Sequence, residues 1–256
     1  MIKDILKGIQ AYSGALALIS KLKLWKFFFI PIIISIITAT IIGFSAYGLS
    51  DNIGQFIAKI WVWDFGKETF TAISTFIGAI VVLAIGLILY KHIIMALSAP
   101  FMSPVSEKIE DYLTGIERHN HRNTTFKEQL WRGIRINIRN LSKELLITIP
   151  ILLLNFIPIV NIFSTVLLFL VQAYYAGFGN MDYTLERHLK YRESVIFVRK
   201  NKGTAIGNGV VFILFLLLPI IGVILVLPMS VTAASLKTVN LLKEEKLLLE
   251  KKDLIS

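Results

Sequence analysis

The sequence predicts an all-α integral membrane protein: two long transmembrane helices, two partially inserted (hemi-penetrating) helix hairpins, and amphipathic helices on the cytoplasmic side. Three observations predict it. Four charge-free apolar stretches lie between Phe27 and Leu236. Two of them, 24 residues from Phe27 to Ser50 and 22 from Thr69 to Tyr90, match the roughly 20 helical residues that cross a bilayer core about 30 Å thick. The other two, 37 residues from Leu145 to Met181 and 34 from Gly203 to Leu236, are too long for one crossing and carry breakers near their middles.

Composition sets the outer bounds. Charged residues make up 17% of the 256, against about 25% in a soluble domain, so the chain 1–256 reads as a single membrane domain. Cysteine is absent, which excludes disulfides, iron–sulfur clusters and thiolate chemistry.

Residues 1–26 hold five lysines and one aspartate, with Ile2, Ile5, Leu6 and Ile9 on one side of a weakly amphipathic helix. The stretch 27–50 is longer than a signal-peptide core, and no small-residue cleavage site follows it, so it is read as a retained span. A short loop carries Lys59 and Lys67, and the second span covers 69–90. The segment 91–144 has nine Lys or Arg, 182–202 has six and the tail 237–256 has five. If each long stretch returns to its side of entry, 25 of the 27 basic residues share one face, which the positive-inside rule makes cytoplasmic. Both termini are then expected in the cytoplasm.

Within 91–144, Thr125 to Leu145 reads as an amphipathic helix. Phe126, Leu130, Ile134, Ile138, Leu141 and Leu145 fall on one face, and Arg132, Arg135, Arg139 and Lys143 on the opposite one. Such a helix suits the headgroup plane, or lines a vestibule that gathers anions. Upstream, Ser103 and Pro104 suit the N-cap and first position of a new helix. The free N–H groups of Val105, Ser106 and Glu107 would then suit an oxyanion; a well-capped helix with no ligand is the plainer alternative.

The first hairpin, 145–181, is divided by Asn155, Pro158 and Asn161, and the second, 203–236, by Pro219, Gly222 and Pro228. Pro158, Pro219 and Pro228 are expected at the hairpin tips, because proline removes an N–H and collides with the preceding turn. The arms are short for full crossings, and irregular backbone must face protein or a wet cavity. Tips inside the bilayer therefore need a polar path or a partner subunit, and a homo-oligomer is expected. A six-span bundle with proline kinks is the alternative.

Leu97-Ser98-Ala99-Pro100-Phe101, then Ser106-Glu107-Lys108-Ile109-Glu110 and Leu113-Thr114-Gly115, resemble the CysZ family of sulfate permeases. Phe156-Ile157-Pro158, the pair Pro219 and Pro228, the run Asp182-Tyr183 with Glu186 and His188, and Gly14 and Pro31 match that family's pattern in order. The resemblance implies two long spans with two hemi-penetrating hairpins, and sulfate uptake across a bacterial inner membrane that feeds cysteine synthesis. It also implies an anion site at a Gly-Leu-Leu-Ala-Glu helix start, with arginines before the first span. Here that motif reads Ser103-Pro104-Val105-Ser106-Glu107, and the arginines correspond to Trp25 and Lys26. The expected anion-binding residues are thus Ser103, Val105, Ser106 and Glu107, with Lys26 as countercharge.

Nothing else in the chain carries a chemistry. His119 and His121 lack further ligands at zinc spacing, and no catalytic or phosphate-binding motif is present. No enzyme activity, cofactor, metal or nucleic-acid partner is expected; sulfate or a related oxyanion and membrane lipids are. The function expected is a channel-like oxyanion permease, with a membrane scaffold or lipid-organising protein as the alternative.

Overall fold

The computed structural model describes residues 1–59, 66–115, 124–154, 157, 159–218 and 221–253. Asn155, Pro158 and Pro219, and the pair His119 and His121, lie outside them. The described residues form α-helices and no strand. In chain order these are α1 (Ile2–Gln10), α2 (Ala15–Lys21), α3 (Trp25–Ala58), α4 (Lys67–Thr114), α5 (Phe126–Leu154), α6 (Val160–His188), α7 (Tyr191–Lys200), α8 (Lys202–Leu216) and α9 (Ile221–Asp253).

Among the described residues, four segments are long and apolar enough to cross a membrane: Trp25–Ala58, Ile85–Thr114, Val160–His188 and Ile224–Glu245. Their outer surfaces are what a bilayer requires. Phe29, Ile33, Ile37, Ile41 and Phe44 stand exposed along α3, and Leu146, Ile149 and Leu153 along α5. In water such a surface would drive aggregation; against lipid tails it costs nothing.

With the outside apolar, the helices are held together by close backbone approach, hydrogen bonds and small residues. Antiparallel α3 and α4 meet through Gly54 against Thr75 and through Gly78, where a Cβ would lie 2.8 Å from the Ser50 carbonyl. α6 and α8 cross with Gly177 against the Ala205 carbonyl and Gly209 against the Ala173 carbonyl, and neither glycine has room for a side chain. The other side of α8 takes α1: Gly207 touches Ile5, and Gly8 touches Thr204. The small-residue spacing at Gly203 and Gly207 is therefore a contact face, used by α1. Between the helices, Tyr12 donates to the Asn208 carbonyl at 2.8 Å, Asn180 donates to Asn208 Oδ1 at 2.9 Å, and Asn208 donates to the Ser230 carbonyl at 3.0 Å. This buried ladder ties the α1–α2 turn, α6, α8 and α9 into one unit.

One expected break falls elsewhere. Pro228 is not at a hairpin tip: α9 begins at Ile221 and runs straight through it, and Thr232 donates to the Pro228 carbonyl at 2.8 Å. A proline inside a buried helix loses one hydrogen bond, and packing of Val226, Leu227 and Val231 in the core offsets that loss. α8 ends at Leu216, and α5 and α6 are bounded by Leu154 and Val160. There Ile159 takes a φ of 71°, a strained value for a β-branched residue.

The other helix ends obey local rules. Gly66 and Gly115 bound α4 with φ of 75° and 70°, the left-handed region that glycine enters freely. Thr125 and Glu128 form a reciprocal cap at the start of α5: the Glu128 N–H donates to Thr125 Oγ1, and the Thr125 N–H donates to Glu128 Oε2 at 2.8 Å.

Candidate functional site

α4 is one helix of 48 residues with Pro100 and Pro104 inside it. The helix start expected at Ser103 and Pro104 is therefore absent, and the amides of Val105, Ser106 and Glu107 lie in the helix interior. Local proline rules are overridden by packing on both sides of the pair: Met95, Ala99, Met102, Val105 and Ile109 all sit in the same buried cluster. Each proline deprives the carbonyl four residues back of its donor. The carbonyl so freed at Ala96 faces Gly133 of α5, 2.9 Å from where a Cβ would stand. A glycine there lets the neighbouring helix cover it closely.

Spacings of three and four residues then put Ser103, Ser106 and Glu110 on one face of α4, and Tyr183 and Arg187 of α6 meet that face. The Arg187 guanidinium is 5% exposed. Its NH1 donates to Ser106 Oγ at 2.6 Å and to the Ser103 carbonyl at 3.1 Å, and its NH2 donates to Glu110 Oε2 at 3.0 Å. His188 Nε2 approaches the same carboxylate at 2.9 Å. One turn away, Arg132 of α5 forms a two-pronged pair with Asp182, at 3.0 and 2.9 Å, and donates to the Leu189 carbonyl at 2.8 Å. Burial works against the Arg132 charge, but the Asp182 carboxylate outweighs it and raises the guanidinium above its usual value. Gln129 donates to Ser103 Oγ at 3.2 Å. The layer is not saturated. Arg187 Nε and Glu186 Oε1 are buried without a hydrogen-bond partner, a donor and an acceptor left over in a site already dense with charge.

The five residues singled out in the sequence are not brought together. Ser103 and Ser106 belong to this layer. Val105 is fully buried among apolar neighbours, and Glu107 is half-buried and enters none of these bonds. Lys26 is exposed on α3, with its ammonium 5.2 Å from the centre of the Phe27 ring, and Lys108 stands 6.0 Å from the same ring. Two cations therefore share the Phe27 ring, and Lys108 stands on the side of α4 away from Ser103, Ser106 and Glu110.

Arg132, Glu110 and Arg187 were missed as candidates, and so was a second buried cluster. Lys91 donates to Glu144 Oε1 at 2.6 Å, and His92 Nε2 lies 3.0 Å from Glu144 Oε2. Asn137 gives its amide N–H to the Gly133 carbonyl, which turns its Oδ1 toward His92 Nδ1 at 3.3 Å. His92 is buried between Asn137 and Glu144. The signal was present in α5: Gly133, Asn137, Asn140, Glu144 and Thr148 form an inward stripe, while Ile138 and Leu145 face outward. Its basic ridge is divided: Arg135 and Lys143 are exposed and Arg132 and Arg139 half-buried, with Arg135 4.2 Å over Tyr191 and Arg139 5.1 Å over Phe178.

An outside of isoleucine, leucine and phenylalanine around an inside of paired charges defines a multi-pass helical membrane protein. Ionisable groups inside such a bundle are where a functional site is sought first. The chain belongs to the family described as Sulfate transporter CysZ/Etoposide-induced protein 2.4, whose model matches residues 11–227. It is similar to the sulfate transporter CysZ of Pseudomonas paraeruginosa, 27% identical over 236 residues that cover 90% of this chain and 94% of that protein. The protein of the same name from Pseudomonas aeruginosa is 26% identical over the same shares. That from Pseudomonas fluorescens is 27% identical over 149 residues, 55% of this chain and 56% of its own.

Proposed function

We propose that the protein is an oxyanion permease whose cargo is sulfate, seated in a bacterial inner membrane with both termini cytoplasmic. One observation carries this reading: the Arg187 guanidinium is buried in the bundle beside two serines and keeps an unpartnered N–H. A tetrahedral oxyanion is the chemistry that completes such a set, and arginine suits it because its donors lie in a fixed plane. Lys26 and Lys108, exposed near Phe27, attract anions to the protein surface, and Ser103, Ser106 and Arg187 receive them inside. Arg132 is held by Asp182 and keeps the wall in place. The sulfate so admitted would feed cysteine synthesis, the role that the family resemblance implies.

The transport is channel-like. Moving a dianion into a cell about 100 mV negative inside costs roughly 4.6 kcal/mol, so unaided uptake runs only down a gradient that consumption of sulfate maintains. The two arms of each hairpin enter and leave on the cytoplasmic side. α8, with 15 residues, is only about 22 Å long, shorter than the roughly 30 Å core, which supports partial insertion. Further copies of the chain then complete a path across the remaining thickness.

The test is uptake by purified protein in vesicles, measured with sulfate, thiosulfate, phosphate and chloride. Saturable sulfate entry that stops when the gradient is dissipated is the expected result. Vesicles that admit no oxyanion would sink the permease and leave the scaffold reading.

A further inference from the structure

Away from the charged layer, a groove of about 320 Å³ opens where α5, α6 and the α7–α8 junction meet. Its long wall is apolar, made by Ile147, Leu167, Leu170 and Val171. All four lie in the charge-free stretch 145–181, and Ile147 and Leu167 remain 41% and 46% exposed. One end differs in kind. Arg199 in the last turn of α7 and Lys202 at the start of α8 line it, beside Tyr174 and Tyr175. Neither cation has an ion-pair or hydrogen-bond partner among the described residues, whereas the adjacent Lys200 is bound to Glu245 at 2.8 Å. No carboxylate lines the groove. Tyrosine with Lys or Arg beside an apolar wall is the pattern of the headgroup level.

The geometry points to a binding site for an anionic phospholipid, with an acyl chain along the Ile147 to Val171 wall and the phosphate between Arg199 and Lys202. Charge and shape select this occupant together. A free oxyanion would satisfy the cations and leave the apolar wall bare. A zwitterionic lipid would fill the wall but bring its own ammonium to two unneutralised cations. Only a lipid with net negative headgroup charge meets both ends, and its bound head would pin the α7–α8 corner against α6.

The experiment uses the full chain purified in detergent, titrated with phosphatidylglycerol or phosphatidylcholine of the same acyl chains, with bound lipid counted by native mass spectrometry. Phosphatidylglycerol should be retained at least tenfold better. Arg199→Gln with Lys202→Gln should remove that preference by roughly ten- to thirtyfold, the effect of losing two cations at an anionic headgroup. Arg199→Lys, which keeps the charge, should preserve it. Val171→Trp leaves both cations and should weaken phosphatidylglycerol binding by narrowing the acyl wall. Equal retention of the two lipids by the parent would overturn the site, as would an unchanged preference in the double variant. Displacement of the lipid by sulfate but not by chloride at equal ionic strength would assign the cations to a free oxyanion. Sulfate uptake in vesicles is read separately, so loss of transport leaves this result standing.

Discussion

Ser106 is a small side chain in a demanding place. Its oxygen accepts a 2.6 Å hydrogen bond from a buried guanidinium and lies 3.1 Å from the Tyr183 carbonyl. Ser106→Ala removes the shortest of three acceptors of Arg187 NH1 and leaves the Ser103 and Tyr183 carbonyls; losing that bond costs about 1 kcal/mol, so the variant should melt earlier in detergent and carry sulfate several-fold more slowly. Lys26→Ala removes an exposed charge; it should slow uptake, chiefly at low ionic strength, and leave the melting temperature unchanged. If both variants transport sulfate like the parent, the proposed path is wrong. Ser103 and Ser106 were legible from their place beside the two prolines. Arg187 was not, since an arginine in a polar run announces neither its burial nor its partners 77 and 81 residues away.

Among elements, α8 is the most tightly constrained, because small residues on two of its sides let α1 and α6 approach at backbone distance. Gly209→Leu would drive a side chain into the Ala173 carbonyl and should cost about 3 kcal/mol or more. Gly48→Leu, at a glycine with nothing within 4 Å, is the control that should change little in the same chemical-unfolding measurement. The α5–α6 turn makes a separate prediction. Ile159 is 76% exposed on the protein surface, so a cysteine there reports its surroundings directly. It should resist an impermeant thiol reagent added outside intact cells, because a partially inserted hairpin keeps its tip within the bilayer; full labelling would favour six complete spans. The segmentation into apolar stretches was legible because length alone constrains it. The orientation of α5 was not. A bundle in lipid turns its polar stripe inward, so the arc of isoleucine and leucine marked the outside, and Asn137, Asn140 and Glu144 marked the contact with α4.

For the molecule as a whole, the 25-to-2 division of basic residues makes a single orientation the expected outcome. A cysteine replacing Lys59 should label only from outside, and equal labelling from both faces would show dual insertion. The length of α4 has a mechanical side. At 48 residues it is about 72 Å long, more than twice the thickness of the hydrocarbon core, with Pro100 and Pro104 between its apolar half and the charged layer. If the membrane surface holds it near that pair, it acts as a lever. A change in tilt of about 5° would carry its far end sideways by roughly 3 Å, a displacement comparable to a hydrogen-bond length. Helices adjust tilt to the thickness around them, so vesicles of longer or shorter acyl chains should open or tighten the gap between Ser106 and Arg187, and sulfate flux should change with chain length at constant protein. Lipid thickness would then act as a throttle on an anion path that the lipid never touches.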